Sequence, residues 1–302
     1  MRTLLILLLT STAFFSFGQY NNPYRLTWDG TNYLVTNKGN GTVTKIDSSF
    51  NTSTVITGLD SPNDIFFGTF AGNSAIAILD SNQIKLFDPS TYASFINVNI
   101  TGAVEAHDGV FNPNNSNEFF ISDRAGNKII KGTVGSAPFY PVTYTTLVSN
   151  ISKPAGMIIN STGHLIVVSD TVDSKIHRID ISTGADSVWN STSLDQLNDI
   201  AQDQEGNYYV TCWDDNYLYR LDSSMSNPQR LIAFNDPAGM FVNTTYDYLA
   251  LCCFLCNKVE FKSFHLYSPL NDVLTCENDS FFVDLNPIYN GIGTYNSNNQ
   301  FI

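Results

Sequence analysis

The residues best suited to covalent or metal chemistry are five cysteines in the last third of the chain: Cys212, Cys252, Cys253, Cys256 and Cys276. Cys253 and Cys256 have the CxxC spacing that redox proteins and zinc knuckles use. No helical pattern follows them, and the chain has no second CxxC or histidine pair. The spacing therefore favours structural thiols or a local disulfide over redox or zinc chemistry. Because five is an odd number, at least one thiol stays free or pairs with another molecule.

Oxygen-bearing side chains form the second group with chemical potential. They recur at turn-like positions as Asn63-Asp64, Asn198-Asp199 and Asp108, which follows His107. Such residues either ligate hard cations or form turns in which the side chain bonds its own backbone. The sequence contains no nucleophile elbow, zinc-protease, phosphate-loop or dinucleotide motif that would indicate another chemistry.

These residues open three copies of a unit that recurs six times with a period of roughly 43 residues. The openings are Pro23-Tyr24-Arg25-Leu26, Pro62-Asn63-Asp64-Ile65, His107-Asp108-Gly109-Val110, Pro154-Ala155-Gly156-Met157, Leu197-Asn198-Asp199-Ile200 and Pro237-Ala238-Gly239-Met240. Each opening leads into short apolar strands separated by polar turns, with almost no helical periodicity. The repeat predicts an all-β, six-bladed β-propeller of four-stranded antiparallel blades. A β-sandwich or two all-β domains would not explain the repeated openings.

The unit resembles the NHL-type repeat and the related senescence-marker-protein and gluconolactonase propellers. The best match is residues 197–222, LNDIAQDQEGNYYVTCWDDNYLYRLD, and the resemblance covers roughly residues 20–265. It specifies a fold far better than an activity, because many propellers with this repeat perform no chemistry.

The resemblance implies that the second residue of each opening lies near the propeller axis: Tyr24, Asn63, Asp108, Ala155, Asn198 and Ala238. In gluconolactonase-like enzymes, the equivalent residues hold a divalent cation. Here Asn63, Asp108 and Asn198 would ligate Ca²⁺ or Zn²⁺, with Asp108 as the candidate general base.

The match to that ligand set is incomplete. Tyr24 stands where the family has a glutamate, and the two alanines supply no ligand, so Asp64, Asp199 or Glu105 would have to turn inward. His107 is a candidate proton shuttle or ligand. The same residues are also explained as turn formers.

A second set of recurring residues ends the second strand of each unit: Asn37, Asp80, Asp123, Asp170, Cys212 and Cys252. Acceptors at this position suggest a structural role as partners of backbone N–H groups in the next hairpin. Since Cys212 and Cys252 occupy corresponding places on neighbouring blades in this alignment, the sequence predicts a Cys212–Cys252 disulfide, with Cys256–Cys276 as a second one.

The ends of the chain differ from the repeat. Residues 1–18 have a basic start, an apolar run and small residues before Gln19, which predicts a cleaved signal peptide and export to an extracellular or periplasmic location. Residues 19–267 would form the propeller. The polar residues 268–302 would supply a latch strand or a degenerate appendage.

Composition restricts the partners. The chain has 302 residues, 15 Lys+Arg against 28 Asp+Glu, a formal net charge of −13 and no basic run. It therefore argues against nucleic-acid binding. No later apolar stretch is long enough to predict a membrane span, and a monomer is expected.

Two functions are compatible with this sequence. The first is a secreted module that binds a protein, glycan or small ligand at the channel mouth through His107, Asp64, Asp199 and Tyr24. The second is a metal-dependent hydrolase of a lactone or ester. The incomplete ligand set favours the first, and the sequence does not decide whether the protein is an enzyme.

Overall fold

The computed structural model describes residues 15–16, 20–136, 140–171, 174–191, 194–243 and 248–263. In this part of the chain, 24 β-strands form six four-stranded antiparallel sheets, and no helix occurs among the described residues. The predicted fold, a six-bladed propeller, is confirmed.

Five blades are continuous in sequence, with their strands ordered from the inside outwards. Blade one comprises β2 (Pro23–Trp28), β3 (Tyr33–Asn37), β4 (Thr42–Ile46) and β5 (Thr52–Ile56). Blade two comprises β6 (Pro62–Phe70), β7 (Asn73–Asp80), β8 (Gln83–Phe87) and β9 (Ser94–Asn99). Blade three comprises β10 (Ala106–Phe111), β11 (Glu118–Asp123), β12 (Lys128–Val134) and β13 (Val142–Ser149). Blade four comprises β14 (Pro154–Ile159), β15 (Leu165–Ser169), β16 (Lys175–Ile179) and β17 (Asp186–Ser191). Blade five comprises β18 (Leu197–Gln202), β19 (Tyr208–Cys212), β20 (Tyr217–Leu221) and β21 (Gln229–Ala233).

Blade six is assembled from both ends of the described chain. Its inner three strands are β22 (Pro237–Asn243), β23 (Tyr248–Cys253) and β24 (Lys258–Ser263), and its outer strand is β1 (Phe15–Ser16). β1 pairs only two residues with β24 and lies within the predicted signal peptide. The predicted tail, residues 268–302, lies outside the described residues.

The blades pack through both of their faces, which explains why the second strands are apolar at consecutive positions. In β3, the fully buried Leu34 packs into the core between blades one and two, whereas its neighbour Val35 packs into the core between blades six and one. Successive side chains of a strand point to opposite faces of its sheet, so adjacent apolar residues serve two different interfaces.

The inner strands close the ring. Each inner strand contacts the inner strand of the following blade, and β22 of blade six contacts β2 of blade one. Six separate hydrophobic clusters fill the six blade interfaces. The starts of the inner strands therefore meet at one end of a common axis. None of the described residues forms a helix long and apolar enough to cross a membrane.

Candidate functional site

Every inner strand starts with an irregularity in its pairing to the second strand. Pro62 pairs with Asp80 and Asp64 with Leu79, so Asn63 is extra, and Ala106 and Leu197 begin equivalent bulges in blades three and five. A bulge re-aims the side chains beside it. In each blade, the two residues that follow the first residue of the inner strand therefore lie near the propeller axis.

The bulges define two rings of residues. The first ring consists of Tyr24, Asn63, His107, Ala155, Asn198 and Ala238, and the second ring of Arg25, Asp64, Asp108, Gly156, Asp199 and Gly239. The prediction that Asp108 shares a ring with Asn63 and Asn198 was wrong by one residue. Ala106, not His107, occupies the position of Pro62, so Asp108 is grouped with Asp64 and Asp199 and His107 takes its place in the first ring.

Arg25 occupies the centre of the second ring. Its side chain is 2% exposed and reaches from blade one to blades three, five and six. Its Nη1 donates to the carbonyl oxygen of Ala238 and its Nη2 to that of Asn198, both at 3.0 Å. Its Nε lies 3.3 Å from Oδ2 of Asp108, and Nη1 lies 3.7 Å from Oδ2 of Asp199.

The three carboxylates of the second ring connect neighbouring blades. Asp64 accepts the backbone N–H of Gly109 at 2.7 Å. Asp108 and Asp199 accept equivalent N–H groups, of Met157 and Met240, from the inner strand of the next blade. These bonds satisfy buried donors and join blades two to three, three to four and five to six. The carboxylates therefore have a structural task at the axis.

Burial controls the protonation of this cluster. Removal from water raises the pKa of Asp64 to about 7, although Arg25 and the Gly109 N–H oppose the shift. Burial also raises the pKa of Asp108, with repulsion from Asp64 adding to it, and raises that of Asp199. One guanidinium cannot compensate three buried carboxylates, so the cluster retains a proton near neutral pH.

His107 and Tyr24 face each other in the first ring. The Tyr24 hydroxyl lies 3.3 Å from Nε2 of His107, and Nη2 of Arg25 lies 3.5 Å from the same atom. Arginine only donates, so Nε2 is an acceptor and the neutral ring carries its proton on Nδ1. Burial and the nearby charges of Arg25, Arg124 and Lys38 lower the pKa of His107.

The two asparagines of the first ring differ in their bonding. Asn63 donates its side-chain amide to the carbonyl oxygen of Ala106 at 2.8 Å, which joins blade two to blade three. The side-chain oxygen of Asn198 is buried and accepts no hydrogen bond, while its side chain contacts the Tyr24 hydroxyl. Asn198 thus has a buried side-chain oxygen without a hydrogen-bond donor.

Half-buried side chains surround the first ring. They come from the loops that lead into the inner strands and from the hairpins between second and third strands. Both kinds of loop lie at the end of the propeller where the inner strands start. The six residues are Lys38, Glu105, Arg124, Asp170, Trp213 and Phe254. We call these six residues the mouth. Arg124 is bound to Asp170 and lies 3.5 Å from Glu105. Phe254 packs edge-on against Tyr24 and contacts Trp213.

Lys38 is the mouth cation without a carboxylate partner. Its ammonium lies 4.6 Å from the centre of the Tyr24 ring, and none of the described carboxylates is within ion-pair distance of it. Burial, together with Arg25 and Arg124, lowers the pKa of Lys38, although Glu105 partly offsets this.

The residues that end the second strands are structural, as expected, but the equivalence drawn between blades was partly wrong. Asn37, Asp80, Asp123 and Cys212 all pair with the first residue of their inner strand, whereas blade four places Ser169 there and blade six Cys253. Asp80 accepts the N–H groups of Asp60 and Ser61. These donors lie in the entry loop of the same blade, whereas Asp123 also accepts the N–H of Gly126 in the hairpin that follows its strand.

That one-residue shift also overturns the predicted disulfides. Cys212 corresponds to Cys253, so Cys252 points to the opposite face of its sheet. Cys212 and Cys252 are buried free thiols. Cys256 bonds with Cys253, not with Cys276, which lies outside the described residues. The local disulfide suggested by the CxxC spacing is the one that forms.

A divalent cation does not fit the second ring as it is built. The Arg25 guanidinium already lies beside Asp108 and Asp199, and each carboxylate of the ring accepts a backbone N–H. A second cation there would be repelled by the first, and calcium needs about six to eight oxygen ligands. Asp64 and Asp199 do turn inward, but Asp199 lies beside Arg25 and Asp64 accepts the N–H of Gly109. The one close group of three such donors among the described residues is Asp236 with Cys253 and Cys256, and the two sulfurs of this group are joined in the disulfide.

The chain matches no protein-family model and no curated protein sequence. Its fold is similar to that of a putative gluconolactonase, at a TM-score of 0.66 and 12% identity over 82% of this chain and 90% of that one. It is also similar to a catalytically inactive variant of virginiamycin B lyase from Staphylococcus aureus with quinupristin (TM-score 0.59, 16% identity, 81% of both chains).

A third similar structure is an auxiliary nutrient binding protein from Bacteroides thetaiotaomicron (TM-score 0.61, 9% identity, 80% of this chain and 69% of that one). At these identities the likeness concerns the fold alone. Propellers with this fold include both enzymes and binding proteins, and the resemblance noted in the sequence holds at the level of the fold.

Proposed function

We propose that this protein is an exported binding module that takes a small acidic ligand at the channel mouth and holds no metal at its axis. The observation that carries the proposal is Arg25, whose guanidinium occupies the centre of the second ring and meets Asp108 and Asp199. A metal-dependent lactonase would need those carboxylates for its cation. Here they are occupied by an arginine and by backbone N–H groups.

Lys38 supplies the preference for an acid. Its ammonium is partly buried and has no carboxylate partner among the described residues, whereas Arg124 is already bound to Asp170. A ligand carboxylate beside Lys38 would accept a charge-assisted hydrogen bond from its ammonium group. Because the ammonium is partly buried, salt would screen this ion pair less than an exposed one.

The surroundings of Lys38 supply the rest of the site. Tyr24, Trp213 and Phe254 present ring edges and faces at the mouth, and aromatic rings favour flat apolar or aromatic groups. The buried oxygen of Asn198 offers an acceptor for a ligand donor. The proposed ligand is thus a small organic acid with a planar or apolar body.

The metal half of the proposal is tested by thermal melting of the protein lacking residues 1–18. Any ion that binds only the folded state raises the free energy of unfolding by mass action, by several kcal/mol at a large excess over Kd. The melting temperature rises with it. We expect no shift on adding CaCl₂ or ZnCl₂ or on removing metal with EDTA. A metal-dependent shift of the melting temperature that disappears in Asp108→Asn would contradict this proposal and support a metal-dependent hydrolase.

The ligand half is tested with matched fragment pairs that differ only in charge, such as phenylacetate and phenylacetamide, by calorimetry or ligand-observed NMR. Acids should bind more tightly than their amides, and Lys38→Gln should weaken acid binding about tenfold, equivalent to ~1.4 kcal/mol. Lys45→Gln, on β4 of the same blade, is the matched control. Equal affinity for acids and amides, or no effect of Lys38→Gln, would contradict the proposal.

A further inference from the structure

A disulfide between Cys253 and Cys256 closes the hairpin that joins β23 to β24. Cys253 is the last residue of β23 and is fully buried. The two residues inside the loop, Phe254 and Leu255, belong to the mouth face of the propeller, and Leu255 is 62% exposed. The binding site described above uses the Phe254 ring but not the disulfide itself.

The hairpin is anchored on the first blade. Asn22, which directly precedes β2, donates its backbone N–H to the side chain of Asn257 at 2.7 Å and its side-chain amide to the carbonyl oxygen of Phe254 at 3.2 Å. The N–H of Phe254 donates to the carbonyl oxygen of Asp236. The disulfide therefore fixes a loop that spans the seam between the last blade and the first.

Phe254, inside the same loop, packs against Tyr24 of the first ring. The Phe254 ring lies 5.6 Å from the Tyr24 ring and 5.9 Å from Trp213, centre to centre. Tyr24 is in turn the residue that meets His107 and Lys38. The position of Phe254 inside the disulfide loop thus sets how far Tyr24 is covered.

We propose that the Cys253–Cys256 disulfide is a redox latch: its reduction by a dithiol releases Phe254 from Tyr24 and uncovers the first ring. The motion of the loop is independent of what the mouth binds. Its effect on ligand affinity rests on the proposed function.

The chemistry is a two-electron thiol–disulfide exchange. A thiolate of the dithiol attacks Sγ of Cys256, which lies at the loop end of the bond, and Cys253 leaves as a thiolate. The N–H of Cys256 lies 3.1 Å from Sγ of Cys253 and stabilises the negative charge that forms there. The second thiol of the reductant then releases Cys256, so two protein thiols form and the dithiol becomes a disulfide.

The other described cysteines do not compete in this exchange. Cys212 and Cys252 are buried. Burial raises the pKa of Cys212 to about 12 and raises that of Cys252 as well, so both stay protonated and unreactive at neutral pH.

The test uses the full-length protein, oxidised or treated with dithiothreitol. Peptide mapping should find Cys253 and Cys256 paired before treatment and free afterwards. Hydrogen exchange of residues 254–257 should then accelerate at least tenfold, and the fluorescence of Trp213 should change. Trp213→Phe identifies that signal among the three tryptophans.

The Cys253→Ser/Cys256→Ser variant should show the fast exchange without reductant and should no longer respond to it. Cys212→Ala, which leaves the latch intact, should respond like the parent. Unchanged exchange on reduction, or a Cys256–Cys276 bond in the oxidised protein, would overturn the latch. Faster exchange with unchanged affinity for phenylacetate would support the latch and contradict the proposed binding site.

Discussion

The Nε of Arg25 lies 3.3 Å from Oδ2 of Asp108, although the two residues belong to blades one and three. The same guanidinium also reaches carbonyl oxygens of blades five and six. One side chain from the first blade therefore holds the first, third, fifth and sixth blades around the axis. Its removal should affect the ring as a whole and not a single contact.

We expect Arg25→Met to lower the free energy of unfolding by about 3 kcal/mol, because removing one partner of a buried ion pair leaves uncompensated charge behind. Urea denaturation at pH 7 measures the change. Arg230→Met, which removes a largely exposed arginine paired with Asp215, is the matched control and should have no measurable effect. Equal stability of Arg25→Met and the parent would show that the axis does not depend on this cluster.

In Asp64→Asn, the free energy of unfolding should decrease less than in the parent as the pH rises from about 4 to 7. The pKa of Asp64 is raised to about 7 by burial, against an unfolded value of about 3.9, so the folded state binds more protons in this window. Its stabilising contribution is complete below pH 4 and is lost as pH rises through 7, by at most ~1.4 kcal/mol per pH unit. The amide preserves an acceptor for the Gly109 N–H.

Urea titrations of Asp64→Asn at pH 5, 6, 7 and 8 measure that slope. Asp88→Asn is the control, because the pKa of the exposed Asp88 is held at about 2 by Ser90 and Thr91 and the group stays ionised throughout this range. If both variants show the slope of the parent, the carboxylates of the second ring do not share a proton near neutral pH.

His107→Gln should change the pH dependence with the opposite sign. Burial and the charge of Arg25 lower the pKa of His107 below its usual 6.5. The unfolded chain then binds the extra proton, so this contribution is present above pH 6.5 and is lost as pH falls below it. The variant should lose less stability than the parent between pH 6.5 and pH 5. A steeper loss at low pH would mean that His107 is protonated in the folded state.

The fold was predictable from the sequence because each blade repeats the same apolar strands and turns. Leu34 and Val35 show why the pattern is so marked: neighbouring side chains serve two blade interfaces, which requires apolar residues at successive positions. The fold can be predicted from such a repeat even when the alignment of the units is wrong by one residue. The residues at the axis cannot, because an error of one residue assigns a different side chain to the axis.

The site was predicted less well because of the bulges at the starts of the inner strands. An extra residue there shifts the pairing by one, and aligning blade three on His107 instead of Ala106 placed Asp108 in the wrong ring. Arg25 was missed although it follows Tyr24 directly. Aligned on Ala106, the sequence places Arg25 in one column with Asp64, Asp108 and Asp199, and an arginine among three aspartates indicates charge compensation.

Removal of residues 1–18 should leave the propeller folded. β1 contributes two residue pairs to the outer edge of blade six, between Phe15 and Glu260 and between Ser16 and Val259, and water can satisfy the edge groups that are exposed when β1 is lost. A chain starting at Gln19 should therefore melt within a few degrees of the full-length protein by circular dichroism. A chain starting at Pro23 also loses the bonds of Asn21 and Asn22 to blades one and six. At about 1 kcal/mol for each bond, it should be clearly less stable. If both truncations were equally destabilised, β1 would be needed to close the ring, and cleavage before Gln19 would be incompatible with the folded protein.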